Sequence, residues 1–558
     1  MSTKAVDFSA TSGRGDKVHL PTPLREQELA AAVKALEGLI ADAIVELQYG
    51  KRSKKIRVDI DRITGFLMGS YLTTLDGIAK GDPRVKDKIP DTDLNRAQSV
   101  LYRRMSANLY QTKNKDEYYH IHGSLNPDAT LKMLNLPTEM PDLTSYPKII
   151  EFFQNAVGQH TAAELDVLNV AHGQAGIQAL TWDQFRATPH GQALLALPPF
   201  TVRPNPSDNH ITPPVPFAPS PTPTCGPVYA LAGIKVLELC RVIAGPTIGR
   251  SLAAHGAQVL KVTSPHLPDV PFFQLDVNTG KHAIHLDLKH SAGDRQVFAT
   301  LLSEADVLID GYRPGALSRL GYGPERLAEI ARERGRGYVY VAEDCFGGTG
   351  TEIEAQAEWA ARPGWQQIAD CVTGVAWAQG RFMGLDEPVV PPFPMSDYGT
   401  GALGSLAALV GLYRRTTEGG SWVCRTSLCQ YDVFLLKLGL LPEREQERLR
   451  TEHRNEAGFF KLRHYDSVDE VGKRALGSMR RVVPHLFEEG RMMMEAESKG
   501  FRGTLRWPRE AVEIEGLRVG HVRTARPNGF DNNFGWEGWE EDINEEEVEE
   551  DTTEELAL

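Results

Sequence analysis

The second half of the chain alternates short apolar segments with helical segments, and this pattern limits the fold more than any other feature. Five apolar segments predict β-strands, at 235–239, 258–262, 283–286, 306–309 and 338–341. The turn at 243–246 leads into a predicted helix, and a second helix is predicted near 291–304. Strands that alternate with helices form a parallel sheet with helices on both faces, so we expect an α/β fold. Ligands of such sheets bind at the carboxyl ends of the strands.

The first 200 residues have a different pattern. Apolar residues at helical spacing predict a helix over 26–49, and alternation predicts a strand over 56–60. Residues 117–122 predict another strand, and 148–200 predict a helix, a strand and a helix. Nine prolines lie between Pro204 and Pro227, and proline fixes φ and removes backbone donors, so this segment is predicted to be an extended linker.

Charge is distributed unevenly along the 558 residues. The net charge is −13, and residues 540–558 hold eleven acidic side chains and no basic one. The rest of the chain is therefore close to neutral, which argues against nucleic acid as a partner because phosphate binding needs a basic surface. The acidic end is predicted to be a solvated, disordered tail.

The six cysteines predict neither a disulfide scaffold nor a metal centre. None forms a CxxC pair, and no Cys/His cluster has the spacing of zinc ligands. Residues 1–17 lack the apolar stretch of a signal peptide, and no run approaches 18 apolar residues. We therefore expect a cytoplasmic protein that binds no metal and has no membrane partner.

The turn from Arg241 to Pro246 follows one predicted strand and precedes a helix. Gly245 allows a close backbone approach, and the N-terminus of the helix offers unpaired N–H groups to a phosphate. A tight turn without any ligand explains the same residues. The turn alone leaves both interpretations open.

A series of motifs resembles the class III CoA-transferase family (CaiB/BaiF type). The segment 231–246 resembles the opening of that family, and the likeness continues in order through 255–262, 280–289, 305–321, 362–365 and 394–401. The resemblance implies a Rossmann-like, parallel-sheet CoA-binding domain with a smaller α+β domain, in an interlocked fold. It also implies an acyl-CoA and a small carboxylic acid as substrates, with coenzyme A carried as a thioester and no metal.

The same resemblance places CoA contacts on particular residues. They are Ile243, Ala244, Leu286, Asp287, Leu288, Lys289, Gly311, Tyr312, Arg313, Arg319, Pro363, Gly364, Trp365 and Gln366. Arginine suits phosphate oxygens through charge-assisted hydrogen bonds and can stack on a base. Solvent-facing charge after a strand is the alternative interpretation of the two arginines.

The family's nucleophilic aspartate falls on Asp397, in a loop that enters a helix predicted over 402–414. The resemblance implies that this carboxylate attacks a thioester carbonyl and forms an aspartyl mixed anhydride. A negative charge near a helix N-terminus is stabilised by the helix dipole. A plain N-cap aspartate is the alternative interpretation.

Two other functions stay open. An acyl-CoA racemase or epimerase uses a histidine–aspartate pair, but the histidine position falls on Trp365, which cannot act as a base at neutral pH. A non-catalytic acyl-CoA-binding protein is the other alternative, because the family's glycine-rich lid has no recognisable counterpart. His120 and His122 alternate on one strand and either line the acyl pocket or, as we favour from the sequence, face solvent.

The order of the family segments is rearranged, which suggests a duplicated chain. The predicted divisions are a flexible arm (1–25), a first copy without its CoA-binding half (26–200), a linker (201–228), the CoA-binding domain with the nucleophile (229–440), a C-terminal return (441–537) and the acidic tail (538–558). The order of helix, glycine turn and strand occurs both in 36–56 and in 403–423, which fits this duplication. Such a chain forms either a homodimer or a single-chain pseudo-dimer.

Overall fold

The computed structural model describes residues 6–13, 17–50, 55–208, 212–217, 228–487, 492–532, 535–536 and 539. The strands are β1 Val6–Ser9, β2 Ile56–Asp59, β3 Thr74–Leu75, β4 Ala107–Gln111, β5 Tyr118–His122, β6 Ile177–Gln178, β7 Thr201–Pro204, β8 Lys235–Leu239, β9 Gln258–Thr263, β10 His282–His285, β11 Val307–Asp310, β12 Val339–Asp344, β13 Trp422–Ser427, β14 Met493–Ser498, β15 Gly503–Pro508 and β16 Val512–Ile514.

The α-helices are α1 Glu26–Tyr49, α2 Ile60–Leu67, α3 Gly69–Leu72, α4 Leu101–Arg104, α5 Asp128–Met133, α6 Tyr146–Val157, α7 Ala162–Ala171, α8 Trp182–Ala187, α9 Pro189–Leu195, α10 Ala244–Ala254, α11 Gln274–Val277, α12 Ala292–Glu304, α13 Ala316–Arg319, α14 Pro324–Arg334, α15 Gln366–Thr373, α16 Val375–Phe382, α17 Met395–Glu418, α18 Leu428–Lys437, α19 Glu443–His453 and α20 Val468–Val482. Short 3₁₀ helices span Pro83–Asp87, Pro271–Phe273, Phe459–Lys461 and Pro484–Phe487.

A seven-stranded sheet forms the centre of the molecule, in the order β10-β9-β8-β11-β12-β13-β7. The first six strands are parallel, and β7 pairs antiparallel with β13 at one edge. All five strands predicted from the alternating segments are present. The predicted parallel α/β fold is therefore confirmed.

The sheet is buried on both faces because successive residues of its strands point to opposite sides. Val236, Val307 and Val339 pack in a core on one face, whereas Leu237 and Leu308 pack in a core on the other. Helices α10 and α17 pack against each other, and α1 packs along α17. The N-terminal helix is thus part of the layer that covers the sheet.

Distant parts of the sequence share two of the three small sheets. In one of them β2 pairs parallel with β1 and antiparallel with β16, and in another β3 pairs with β15. The third contains β4, β5 and β6. Residues near both ends of the chain therefore pair with each other in these small sheets.

Two predicted connecting segments contain regular or buried structure. In the predicted N-terminal arm, β1 pairs with β2, and Leu20 and Leu24 are buried. In the predicted linker, β7 is an edge strand, and Thr212 accepts a hydrogen bond from Gly420 N–H (2.9 Å). The predicted acidic tail (538–558) lies outside the described residues, apart from the buried Trp539. Among the helices of the described ranges, none has the length and apolar character needed to span a bilayer.

Candidate active site

One cavity brings together three parts of the chain, and it encloses about 970 Å³ including its open mouth. Its N-terminal wall holds Tyr71, Gln98, Arg104, Ala107, His122, Ser124 and Leu125. Its central wall holds Val242, Ile243, Val270, Phe273, Trp365, Gln366, Gln367, Asp370, Val390, Pro391, Phe393, Pro394 and Asp397, and Ser467, Val468 and Asp469 complete it. Apolar and aromatic surfaces with a few polar groups are typical of a small-molecule site.

Asp397 is the third residue of α17 and lines this cavity. Its side chain is partly exposed, and none of the described residues donates a hydrogen bond to it. Burial, and then the nearby Asp432 carboxylate, raise the pKa of Asp397 to about 8. The carboxylate is thus accessible from the cavity and more basic than an ordinary aspartate, as a nucleophile requires.

Two buried acids, Asp370 and Asp432, lie near Asp397 and share the hydroxyl of Ser396. Ser396 Oγ is 2.9 Å from Asp370 Oδ1 and 2.8 Å from Asp432 Oδ1. A hydroxyl has one proton and can donate to only one carboxylate, so the other acid must be protonated and donate to Ser396. The raised pKa values agree with this arrangement: burial raises both, with Asp432 at about 7. The neighbours of Asp397 therefore carry less negative charge at neutral pH than two aspartates suggest.

A third buried acid reaches this region from the N-terminal helix. Glu26 begins α1 and accepts a hydrogen bond from Tyr431 Oη at 2.6 Å. Burial raises the pKa of Glu26 to about 8. The N-terminal helix α1 thus contributes a buried acid close to Asp370 and Asp432, which the sequence did not indicate.

The backbone on both sides of the cavity is strained. Val242 and Phe393 have φ values of 70° and 63°, a region that residues with a Cβ rarely occupy. Val242 N–H donates to Asp269 Oδ1 at 3.2 Å, which helps to hold that turn. Strained residues of this kind concentrate at functional sites, where the surrounding structure holds them.

His122 and Trp365 form an aromatic wall of the cavity, with ring centroids 5.4 Å apart and an interplanar angle of 11°. His122 Nδ1 accepts the Ser124 N–H (2.9 Å), so the ring proton is on Nε2, which is 3.3 Å from Gln367 Oε1. Burial lowers the pKa of His122 to about 4. Both ring nitrogens are therefore engaged, and the ring is neutral.

The favoured expectation that His120 and His122 face solvent is wrong. They are 1% and 8% exposed, because β5 is the central strand of its small sheet and is covered on both faces. Only His122 of the two lines the cavity. The period-2 pattern correctly placed both rings on one side, where they stack at 5.6 Å.

Three of the predicted CoA residues line the cavity together with Asp397: Ile243, Trp365 and Gln366. Gln366 Nε2 donates to Asp370 Oδ2 (2.9 Å) and thereby supports the buried acids. Ala244 begins α10 and is buried beside Ile243. The other predicted residues lie outside the cavity lining.

Gly311, Tyr312 and Arg313 follow β11, which neighbours β8 at the centre of the sheet. The Arg241 guanidinium lies over the Tyr312 ring, 5.4 Å from its centroid. Burial and then the charge of Arg241 lower the pKa of Arg313. Within the described ranges, no carboxylate forms an ion pair with either arginine. Arg241 Nη1 donates to the Pro268 carbonyl at 2.6 Å, and Arg313 is exposed. Each guanidinium has five N–H donors, so both arginines can still bind phosphate oxygens beside the Tyr312 ring.

The remaining residues predicted to contact CoA differ in which of their groups a ligand can reach. Leu286 and Leu288 are buried in the core, so only their backbone is available to a ligand, whereas Lys289 and Arg319 are exposed. Asp287 accepts N–H bonds from Lys289 and His290 and stabilises its own turn. Pro363 and Gly364 precede α15, and a Cβ at Gly364 would collide with Cys345 Sγ.

Sequence reasoning missed several residues of the site: Arg241, Asp370, Ser396, Asp432, Tyr71 and Arg104. Arg241 was within reach, because it begins the turn at 241–246. Ser396 lies in the motif at 394–401, next to Asp397, whereas the others come from segments without a quoted motif. Only the folded chain brings them to Asp397.

The comparisons with known proteins agree with this geometry. A family model described as CoA-transferase family III matches residues 231–469. The acetyl-coenzyme A transferase nodX of Hypoxylon pulicicidum is 35% identical over 463 residues, which cover 81% of this chain and 75% of that protein. An acyl-CoA transferase of Gibberella moniliformis is 32% identical over 435 residues, covering 77% and 74%. The chain therefore belongs to CoA-transferase family III, and it is an acyl-CoA transferase of that family.

More distant relatives match only part of the chain. The formyl-CoA:oxalate CoA-transferase of Bradyrhizobium diazoefficiens is 30% identical over 232 residues, 39% of this chain and 50% of that protein. A crystal structure of Rv3272 from Mycobacterium tuberculosis covers 55% of this chain and 99% of its own, with a TM-score of 0.40 and 19% identity.

Proposed function

We propose that this enzyme moves CoA from an acyl-CoA donor to a carboxylic acid acceptor, with Asp397 as the nucleophile. The observation that supports this most is the position of Asp397: a basic, unbonded carboxylate that opens into the cavity at the N-terminal turn of α17. Ionised carboxylates at helix N-termini are stabilised by the helix dipole.

The proposed reaction has four balanced steps. An Asp397 oxygen attacks the thioester carbonyl, the C–S bond breaks, and the CoA thiolate leaves a mixed anhydride. The thiolate then attacks the aspartyl carbonyl, which expels the donor acid and leaves an aspartyl-CoA thioester. The acceptor carboxylate attacks this thioester and releases the thiolate again. Attack of the thiolate on the acceptor's acyl carbon forms the new acyl-CoA and restores the Asp397 carboxylate.

The walls of the cavity support this chemistry by limiting water. A mixed anhydride hydrolyses easily, so the site must exclude water while it exists. The His122–Trp365 stack and the aromatic rings of Tyr71, Phe273 and Phe393 line the cavity. We therefore propose that the acyl groups of both substrates bind in this apolar part of the cavity.

We place the CoA nucleotide beside the carboxyl ends of β8 and β11. Arg241 and Arg313 supply two positive charges for phosphate oxygens, and Tyr312 supplies a flat surface. Arg319 is exposed and is the last residue of the short helix α13. The thioester end then reaches Asp397 past Ile243, which lines the cavity.

The racemase alternative lacks an available histidine base among the described lining residues of this cavity. Among the described lining residues His122 is the one imidazole, and both of its nitrogens are engaged by Ser124 and Gln367. Its pKa of about 4 also makes it a poor base for a proton on an α-carbon. Transfer is thus the better-supported function.

The test is acyl exchange between a panel of acyl-CoAs and isotopically labelled carboxylic acids, followed by mass spectrometry. We expect exchange in the wild type and a loss of at least roughly a thousandfold in Asp397→Asn, because the amide cannot form the anhydride. Asp386→Asn is the matched control, since Asp386 is exposed and lies outside the cavity lining. Deuterium exchange at the α-carbon without transfer would contradict the proposal.

A further inference from the structure

A second group of ligand-type side chains lies away from the reaction cavity. His19 precedes α1, Asp61 is in the first turn of α2, and His485 is in the 3₁₀ helix Pro484–Phe487. One potential ligand atom of each lies within 4.8 Å of the other two. His19 Nε2 is 3.5 Å from Asp61 Oδ1, and the two imidazole rings meet edge to face at 5.4 Å.

Asp61 is 1% exposed and only partly satisfied. Its Oδ2 accepts the Ser12 N–H at 2.8 Å, whereas its buried Oδ1 accepts no hydrogen bond. Among the described residues, no lysine or arginine forms an ion pair with it. A buried carboxylate in this state is costly unless a cation completes it.

We infer that His19, Asp61 and His485 bind one divalent transition-metal ion, for which zinc is the best match. Two imidazoles and one carboxylate are zinc ligands, whereas magnesium and calcium select oxygen alone. Zinc bonds of about 2.0–2.1 Å put tetrahedral ligand atoms about 3.4 Å apart. The His19–Asp61 pair, at 3.5 Å, is close to this separation, and a ring nitrogen of His485 lies within 4.8 Å of both ligand atoms. A water molecule takes the fourth position.

The metal has a structural role in this arrangement, because none of the three residues lines the reaction cavity. It joins the segment before α1, the start of α2 and a segment of the C-terminal return. The sequence predicted no metal because the ligands lie far apart along the chain and form no motif. The folded chain alone brings them together.

The test uses the full-length protein without a histidine tag, stripped with a chelator and titrated with Zn²⁺ against a chromophoric competitor. We expect one equivalent of tightly bound Zn²⁺ and a higher melting temperature with the metal, because a ligand of the native state stabilises it. In His19→Ala/His485→Ala we expect this site to weaken at least a hundredfold. Co²⁺ in place of zinc gives visible absorption bands that report nitrogen and oxygen ligands.

The matched control is His266→Ala/His290→Ala, which removes two exposed histidines beside Asp287. This control protein must still bind one equivalent of Zn²⁺ tightly. Absence of stoichiometric Zn²⁺ binding by the wild type overturns the inference. So does a control variant that loses as much Zn²⁺ affinity as His19→Ala/His485→Ala. If the double variant does not fold, Asp61→Asn preserves the side-chain shape and must still weaken the site. Retained binding in a folded Asp61→Asn protein also contradicts the assignment.

Discussion

At the scale of single residues, the buried acids set the chemistry of Asp397. Asp432, Asp370 and Glu26 form a buried group near it without an ion pair to a described cation, and burial raises the pKa of each. When these acids are protonated, they oppose the ionisation of Asp397 less than charged carboxylates would. A carboxylate that is hard to ionise is also a stronger nucleophile once it has ionised.

The first prediction concerns the pH dependence of exchange. The Asp397 carboxylate must be ionised to attack, and its pKa is raised from the ordinary value of 3.8 to about 8. We expect kcat/KM to rise with pH and to level off above about 8, measured by acyl exchange in the absence of product. A pH profile that is flat from 6 to 9 would show that Asp397 ionises much more easily than the structure indicates.

A single substitution tests the origin of that pKa. After burial, the charge of Asp432 is the cause that raises the pKa of Asp397. Asp432→Asn keeps the shape of the protonated acid and removes the negative charge, so the rising limb of the profile should move to lower pH. Asp386→Asn is the control and should leave the limb in place. A shift of the rising limb to higher pH would contradict the conclusion that the charge of Asp432 raises the pKa of Asp397.

Asp397 and the turn at 241–246 could be found from the sequence because both belong to ordered family motifs. The acids near Asp397 could not, because their importance depends on burial and on one shared hydroxyl. The position of His122 could likewise be predicted only in part. Alternation correctly placed it on one face of a strand, but it could not indicate that a tryptophan from a distant segment covers that face.

At the scale of elements, the central strands were predictable and the start of α17 was not. The helix begins at Met395, seven residues before its predicted start. Glycines at 399 and 401 suggest a loop because glycine is a poor helix former. Tertiary packing explains them: a Cβ at Gly399 would collide with Tyr431, and one at Gly401 with Thr247. The close contacts of α17 therefore override local propensity and place Asp397 in a helical turn.

The second prediction tests this close packing. A Cβ at Gly404 would lie 2.5 Å from Ile248 Cδ1 and would push α17 away from α10. We expect Gly404→Ala to cost about 1–3 kcal/mol in the free energy of unfolding, as overpacking does, and to lower the urea midpoint.

Gly293→Ala is the matched control for this change. Gly293 also lies in a helix, but a Cβ there would meet only Ser291 Oγ, at 3.8 Å. The control should be neutral or slightly stabilising because alanine favours helix. Equal effects of the two substitutions would mean that the α10–α17 contact is not tight.

At the scale of the whole molecule, the N-terminal part and the central sheet part of the chain are joined beside Asp397. Tyr398, next to Asp397, accepts the Ser70 N–H at 2.7 Å and donates to Asp276 Oδ2 at 2.6 Å. The hydroxyl therefore joins the N-terminal part to the CoA-binding part. Both partners are buried, so this connection fixes how the two parts meet at the cavity.

The duplication suggested by the sequence has a structural parallel. Helices α1 and α17 each have 24 residues, pack against each other and end at Gly50 and Gly419. Each is followed by a strand and then by a helix whose N-cap is Asp59 or Ser427. We take this repetition as support for a single-chain pseudo-dimer with one active site. Sequence alone could not show that 26–200 forms a wall of the cavity, since no motif there refers to CoA.

The third prediction follows from this arrangement. All walls of the cavity come from one chain, so specific activity should stay constant on dilution from micromolar to low nanomolar protein. Initial exchange rates over this range, together with the mass in solution by native mass spectrometry, provide the measurement. Activity that falls in step with dissociation of a dimer would show that a second chain completes the site.

The most direct test of the central claim is to trap the covalent intermediate on the wild-type enzyme. After incubation with an acyl-CoA, borohydride or hydroxylamine treatment and peptide mass spectrometry locate the modified side chain. We predict modification at Asp397 that requires acyl-CoA and is absent in Asp397→Asn. Modification at another residue, or efficient acyl exchange by Asp397→Asn without any adduct, would contradict the account.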